Sequence, residues 1–327
     1  MRWDFVTSEE SPHPFNSILG DLRQTLAHQT ARMRAALLVL GLLHAASGLS
    51  TSRQPLPATL ARLRGGQAAP ATKLPGDVYD ALAAKGQVNA ELAPIKTLHQ
   101  AFMGGMYVAI GGIFSLVVAG AMPGLGPDLQ RCVVGLIFPI GLIFILQAAG
   151  QLMTGNFALV TAAWYEGKIS LPIALRSFAL SGFGNLCGCL TMAKLIKSAG
   201  LLKGGAADLV AATALKKCSI PAGQVLIRAT LCNWLVSMAI FLAVSAADLP
   251  GKIFGIWSCI PMFVGIGLEH SVANMFFLPL GKMAGADISV ADIVMKNIIF
   301  VTLGNLLGAG GLLAGGMSFQ FGALGGK

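Results

Sequence analysis

Two stretches of this chain are too apolar and too long to be single membrane helices, and they constrain everything around them. Cys132 to Tyr165 is 34 residues without a Lys, Arg, Asp, Glu or His, and Ile253 to Gly281 is 29 residues in which only Glu269 and His270 are charged or basic. A straight helix crosses the hydrocarbon core with about 20 residues. Each stretch therefore has to be interrupted inside the membrane. Non-helical backbone at that depth is tolerated only where protein buries it or where it lines a wet cavity. Ionisable residues at that depth mark functional sites. The second interruption falls at Gly267-Leu268-Glu269-His270-Ser271, which makes His270 the centre of a candidate transport path.

The rest of the chain fits a polytopic membrane protein. Charged residues are 11% of the 327 and the mean hydropathy is +0.72, whereas a soluble domain carries about 25% charged residues. The 41 glycines suit helices that approach closely through small side chains. The net charge of +9 suits anionic headgroups or an anionic solute. The six cysteines lie mostly in apolar runs, with no zinc spacing and no paired framework. No metal or cofactor is expected.

Spans are expected at about residues 98–120, 132–165 (broken near Thr154-Gly155-Asn156), 171–193, 225–246, 253–281 (broken) and 296–318, with a polar Lys-bearing loop over 194–218. The two halves repeat. Cys132 and Ile253 open the two overlong segments 121 residues apart, and Gly184-Asn185-Leu186-x-Gly188 recurs 120 residues later as Gly304-Asn305-Leu306-x-Gly308. Each half then holds three spans with the middle one broken. Three is odd, so the halves run through the membrane in opposite directions. The expected fold is an all-α membrane protein, six transmembrane helices in an inverted 3+3 repeat, with helices two and five broken. Paired broken helices place a transporter's site at the midplane.

Residues 1–77 read as a leader. Ala35–Ala46 is a 12-residue apolar run behind Arg32 and Arg34, too short to span. From Ala31 to Gly76 there are six Lys and Arg and no acid, in a background of Ala, Ser, Thr and Pro, as in organelle transit peptides. Val78–Lys85 reads as a short helix opening the membrane domain, 78–323, and 324–327 as a tail.

A broken helix exposes backbone N–H groups and a partial positive charge at each half-helix N-terminus. Two such ends facing each other make a weak anion site. A histidine between them adds a donor that titrates near physiological pH and can share or relay a proton. Glu269 would repel anions in the pore, so it is expected to tie down the break instead.

These motifs resemble the formate/nitrite transporter family. Met103–Gly111 is similar to its first-helix signature. Leu152-Met153-Thr154-Gly155-Asn156 resembles the loop that breaks the second helix, Gly267–Met275 the Glu-His-Ser-x-Ala-Asn-Met motif of the fifth, and Val301–Asn305 the sixth. The Leu231–Val236 run and the Gly267–Phe276 string look most like an algal branch with chloroplast-envelope carriers of nitrite and bicarbonate. The resemblance implies an aquaporin-like protomer in a homopentamer, one pore per protomer. It implies one apolar constriction of Phe138, Leu142 and Phe263, and another of Leu152, Met153 and Val236. It puts His270, Thr154 and Asn233 at the pore centre and makes Lys217 a vestibule lysine that attracts anions. Glu269, Gln151, Gly155, Asn156 and Asn274 would hold the breaks. Gln151 stands where the family has Asp or Glu, and Met153 where it has Phe, so selectivity can differ.

The implied function is transport of small monovalent anions: nitrite, bicarbonate or formate. The implied partners are that solute, the bilayer and further copies of the chain, with no nucleic acid. A neutral-solute channel of the aquaporin or ammonia type is the rival reading, but Asn-Pro-Ala boxes and a second pore histidine are absent. An intramembrane hydrolase is disfavoured because no Gly-x-Ser-x-Gly is present and Ser271 adjoins His270.

Overall fold

The computed structural model describes residues 72–327. The leader, including Ala35–Ala46, lies outside the described residues except for its last few positions. Among the described residues the architecture is helical throughout, with one isolated backbone bridge between Thr72 and Ala246.

Ten helical elements follow in order: α1 (Pro75–Glu91), α2 (Pro94–Gly120), α3 (Pro123–Gln147), α4 (Met153–Tyr165), α5 (Leu171–Ser198), α6 (Gly204–Cys218), α7 (Ala222–Ser245), α8 (Leu249–Ile266), α9 (Ser271–Met283) and α10 (Asp292–Phe321). Six of them, α2, α3, α5, α7, α8 and α10, are long and apolar enough to cross a membrane. The half-helices α4 and α9 have 13 residues each, so each is about 20 Å long and cannot span alone.

Proline opens several of these helices, at Pro75, Pro94 and Pro172, where its missing N–H is not needed. Inside α3, Pro139 removes a backbone hydrogen bond. The region 194–218, expected as a loop, is mostly helix: α5 continues to Ser198 and α6 occupies Gly204–Cys218. Its lysines make it polar without breaking the helix, since Lys is a good helix former. The opening helix is also longer than Val78–Lys85, running from Pro75 to Glu91.

The repeat governs packing as well as order. Gly188 on α5 lies against α2 so closely that a Cβ would land on the Phe102 carbonyl, and Gly308 on α10 meets the Thr230 carbonyl of α7 in the same way. Phe102 and Thr230 are 128 residues apart and the glycines 120. The two halves thus use one contact twice. Outward faces carry large apolar side chains, among them Phe183, Ile227 and Phe254, each more than 60% exposed. In a soluble protein such a surface would be an interaction patch; here it suits lipid and neighbouring copies.

Candidate functional site

Both overlong segments are broken, and the two breaks are built by the same hydrogen bonds. The α3–α4 connection runs through residues 148–152, and the α8–α9 connection through 267–270. Each connection passes through a left-handed residue: Ala149 at φ 56 and Gly267 at φ 85. The first break therefore precedes Thr154-Gly155-Asn156, which lies in the first turns of α4.

Asn185 of α5 donates to the carbonyls of Ala101 (2.7 Å) and Gln151 (2.8 Å) and accepts from the Met153 amide (2.8 Å). Asn305 of α10 donates to the carbonyls of Ala229 (2.8 Å) and Glu269 (2.9 Å) and accepts from the Ser271 amide (2.8 Å). Each asparagine satisfies the break's second-to-last carbonyl and the next half-helix's first amide, groups that no helix provides for. Their side chains are fully buried.

A second shared contact lies at positions 118 residues apart. Asn156 donates to Gln151 Oε1 (3.0 Å), and Asn274 donates to Glu269 Oε2 (2.7 Å). Around Gln151 the partners are neutral: Gln100 accepts from its amide (2.8 Å) and Asn89 donates to Asn156 (3.0 Å). Around Glu269 they are not. Lys217 Nζ is 2.9 Å from Oε1, and Asn297 donates to Oε2 at 3.3 Å. Glu269 is thus held by a charge and two amides, as a carboxylate buried in a membrane requires. It ties down the break.

His270 is the N-cap of α9. Its Nδ1 accepts from the Ala273 amide at 3.1 Å, and its Nε2 is 3.0 Å from Thr154 Oγ1 at the start of α4. An Nδ1 that accepts carries no proton, so Nε2 carries it and donates to the Thr154 hydroxyl. One imidazole therefore joins the two half-helix N-termini. The ring stacks on Phe263, centroid to centroid 5.9 Å at 27°.

Two cavities meet at this ring. A chamber of about 200 Å³ is bounded by Arg131, Arg228, Lys216, Lys217, Glu269 and the His270 ring. A second, of about 20 Å³, also touches His270, with room for about one water. Phe138, Leu142, Phe263, Leu152 and Val236 all line the small chamber, joined by Val108, Gly141 and Ile260. Phe138 and Phe263 line both chambers and face each other edge-on at 6.3 Å, so they form the partition.

Four expected positions are arranged differently. Thr154 is fully buried and lines neither chamber. Met153 also lines neither; its sulfur lies 2.7 Å from where a Cβ on Gly182 of α5 would stand. The absent side chain at Gly182 makes room for it and draws it away from the path. Asn233 also lines neither chamber. It is fully buried and its amide donates to the carbonyls of Thr154 (3.1 Å) and Asn305 (2.8 Å), bracing α4 to α10. Gly155 packs its α-carbon toward Ile240, where a Cβ would come within 3.2 Å. Arg131, Arg228, Val108 and Ile260 are site residues that the sequence reading did not single out.

Comparison with known proteins bears on the family and the fold. The family model described as formate/nitrite transporter matches residues 76–319. A probable formate transporter of Methanothermobacter thermautotrophicus is 36% identical over 256 residues, covering 72% of this chain and 92% of that protein. The nitrite transporter of Salmonella typhimurium is 32% identical over 207 residues, covering 63% of this chain and 76% of its own. Among solved structures, an ion channel of the same family superposes with a TM-score of 0.70 at 29% identity, over 75% of this chain and 98% of that one. A pentameric formate channel with formate bound superposes at 0.65 and 28%, over 70% and 97%. On the family match and the 36% identical relative, this chain belongs to the formate/nitrite transporter family.

Proposed function

We propose that this protein carries small monovalent anions across a membrane through a pore in each protomer of a homopentamer, with His270 at its narrowest point. Formate and nitrite are the leading substrates, because the relatives are named for them. The observation that carries the reading is the His270 bridge, Nδ1 to Ala273 and Nε2 to Thr154, set between a cationic chamber and an apolar one. Lys217 and its neighbours concentrate anions at the mouth. Phe138 and Phe263 strip water from them. The two half-helix N-termini, with the Nε2–H once it leaves Thr154 for the anion, then supply compensating partial positive charge where water is excluded. Thr154 keeps the ring in place, and Leu142, Leu152 and Val236 close the path beyond it. Met153 and Asn233 support this lining from behind.

Bicarbonate is the third substrate, and the chloroplast envelope the membrane, on the strength of the basic, Ala- and Pro-rich leader and the algal-type motifs. The membrane domain corresponds to residues 78–323 and the leader to 1–77.

The test is uptake of labelled formate, nitrite and bicarbonate into proteoliposomes at two pH values, with His270→Asn as control. Uptake of one or more of these anions that disappears in the variant supports the reading. Passage of water or ammonia with no anion flux overturns it in favour of a neutral-solute channel.

A further inference from the structure

The larger chamber holds more positive charge than a monovalent solute requires. Arg131, Arg228, Lys216 and Lys217 face it against a single carboxylate, Glu269. Lys217 is paired with that carboxylate at 2.9 Å. Arg131 Nε donates to the Gly265 carbonyl at 3.0 Å and Arg228 to the Gly267 carbonyl at 3.5 Å, so both guanidinium groups lie over the C-terminal end of α8. Each keeps further N–H groups free for another acceptor. Asp128, 3.2 Å from Arg131, has a side chain 87% exposed and neutralises it weakly. Lys216 forms no ion pair among the described residues.

Size divides the path in the same place. The chamber is about 200 Å³ and the cavity beyond Phe138 and Phe263 about 20 Å³. Attraction to a fixed cluster of cations grows in proportion to the charge of the visiting anion. The cost of removing its water grows with the square of that charge, and even one charge is expensive to bury. A monovalent anion therefore gains modestly in the chamber and can go on. A divalent or trivalent anion gains more in the chamber and is held back at the partition.

We propose that the Arg131–Arg228–Lys216–Lys217 chamber is a binding site for a small polyvalent anion, which occupies it without passing the Phe138–Phe263 partition and so closes the pore to its monovalent substrates. The blockade rests on the anion-transport reading above; the site itself does not. The fit is to compact anions with two or three charges, of which sulfate and citrate are the probes.

The experiment has two arms on the full-length protein. Calorimetric titration in detergent, at constant ionic strength, compares citrate and sulfate with acetate. Citrate is expected to bind at least tenfold more tightly than acetate. Lys216→Gln, at an exposed position that does not threaten folding, is expected to weaken citrate roughly two- to fivefold, and Arg228→Gln, which keeps a donor for Gly267, by a similar factor. Citrate binding no tighter than acetate, or insensitive to both variants, overturns the site. In proteoliposomes, formate flux without citrate tests transport, and citrate on both faces is expected to slow it. Citrate that binds but leaves formate flux unchanged overturns the blockade. Formate that does not move at all, with variant-sensitive citrate binding, counts against the transport reading and leaves the site standing.

Discussion

Asn185 and Asn305, 120 residues apart in the chain, make the same three hydrogen bonds at the two ends of an internal repeat. Each joins a glycine-packed helix pair to the broken helix beside it. Truncation to alanine leaves one carbonyl and one amide without partners in a buried place and strips a second bond from a helical carbonyl. We expect Asn185→Ala and Asn305→Ala each to lose about 2–4 kcal/mol, and Asn→Asp to be little better because it loses both donated bonds. Thermal unfolding of the purified variants in detergent checks this; a melting temperature equal to wild type would mean the breaks are held by something else.

His270 makes two separable contacts. As an N-cap it can be replaced by Asn, which caps as well as any residue but is too short to reach Thr154 Oγ1. His270→Asn is therefore expected to melt close to wild type and to carry less than a tenth of its anion flux. His270→Phe removes both contacts and is expected to lose flux together with about 1 kcal/mol of stability. Flux retained by the Asn variant would remove the Thr154 contact from the transport step.

Glu269 has a natural neutral counterpart in Gln151, which accepts from Asn156 as Glu269 accepts from Asn274. Glu269→Gln is expected to fold, because that geometry is already realised once in the molecule. It also frees Lys217 and raises the charge of the chamber by one. The concentration giving half-maximal formate flux is expected to fall roughly two- to fivefold. Glu269→Ala strands Lys217, Asn274 and Asn297 together and is expected to express poorly. An unchanged half-saturation in the Gln variant would detach the chamber's charge from substrate capture.

The C-terminal segment is fastened by Glu166, between α4 and α5. Its Oε1 accepts from Tyr79 (2.8 Å), Ser318 (2.8 Å) and the Ala323 amide (3.1 Å). Burial pushes this carboxyl up, but the bonds from Ser318, Tyr79 and Ala323 and the charge of Lys327 outweigh it and hold it below the ordinary 4.5. A lowered value means the stabilisation is complete above the ordinary value and is lost as pH falls through the lowered one. Amide exchange at residues 318–325 is expected to be flat from pH 8 to 5, after correction for intrinsic rates, and to quicken only as the pH falls below the ordinary 4.5. Glu166→Gln should quicken it at every pH, and a flat profile at pH 3 would show the segment to be held otherwise.

Legibility in the sequence followed the physics of each feature. Run length without charge exposes a broken span, because the bilayer fixes how much apolar helix one crossing needs, and both breaks were legible for that reason. Their positions were less so. The first was expected at Gly155 and Asn156, residues that favour irregular backbone. The turn is instead made by Ala149 at φ 56, and alanine carries no signal of a left-handed conformation. Gly155 and Asn156 serve the new helix by packing and bonding. Lys-rich polarity suggested a loop at 194–218, where α5 and α6 are helical, since charge says which side faces water and not whether the backbone coils. His270 and Glu269 stood out because charge is rare at that depth. Val108 and Ile260 did not, because an apolar side chain lining a path looks the same in sequence as one filling a core. Met153 shows the converse: its direction depends on the absence of a side chain at Gly182, on another helix.

The 20 Å³ chamber beside His270 has room for about one small particle. If the transported anion passes through it, two anions cannot share it, and crossing becomes a matter of taking turns. Flux then levels off as concentration rises, and two different anions exclude each other.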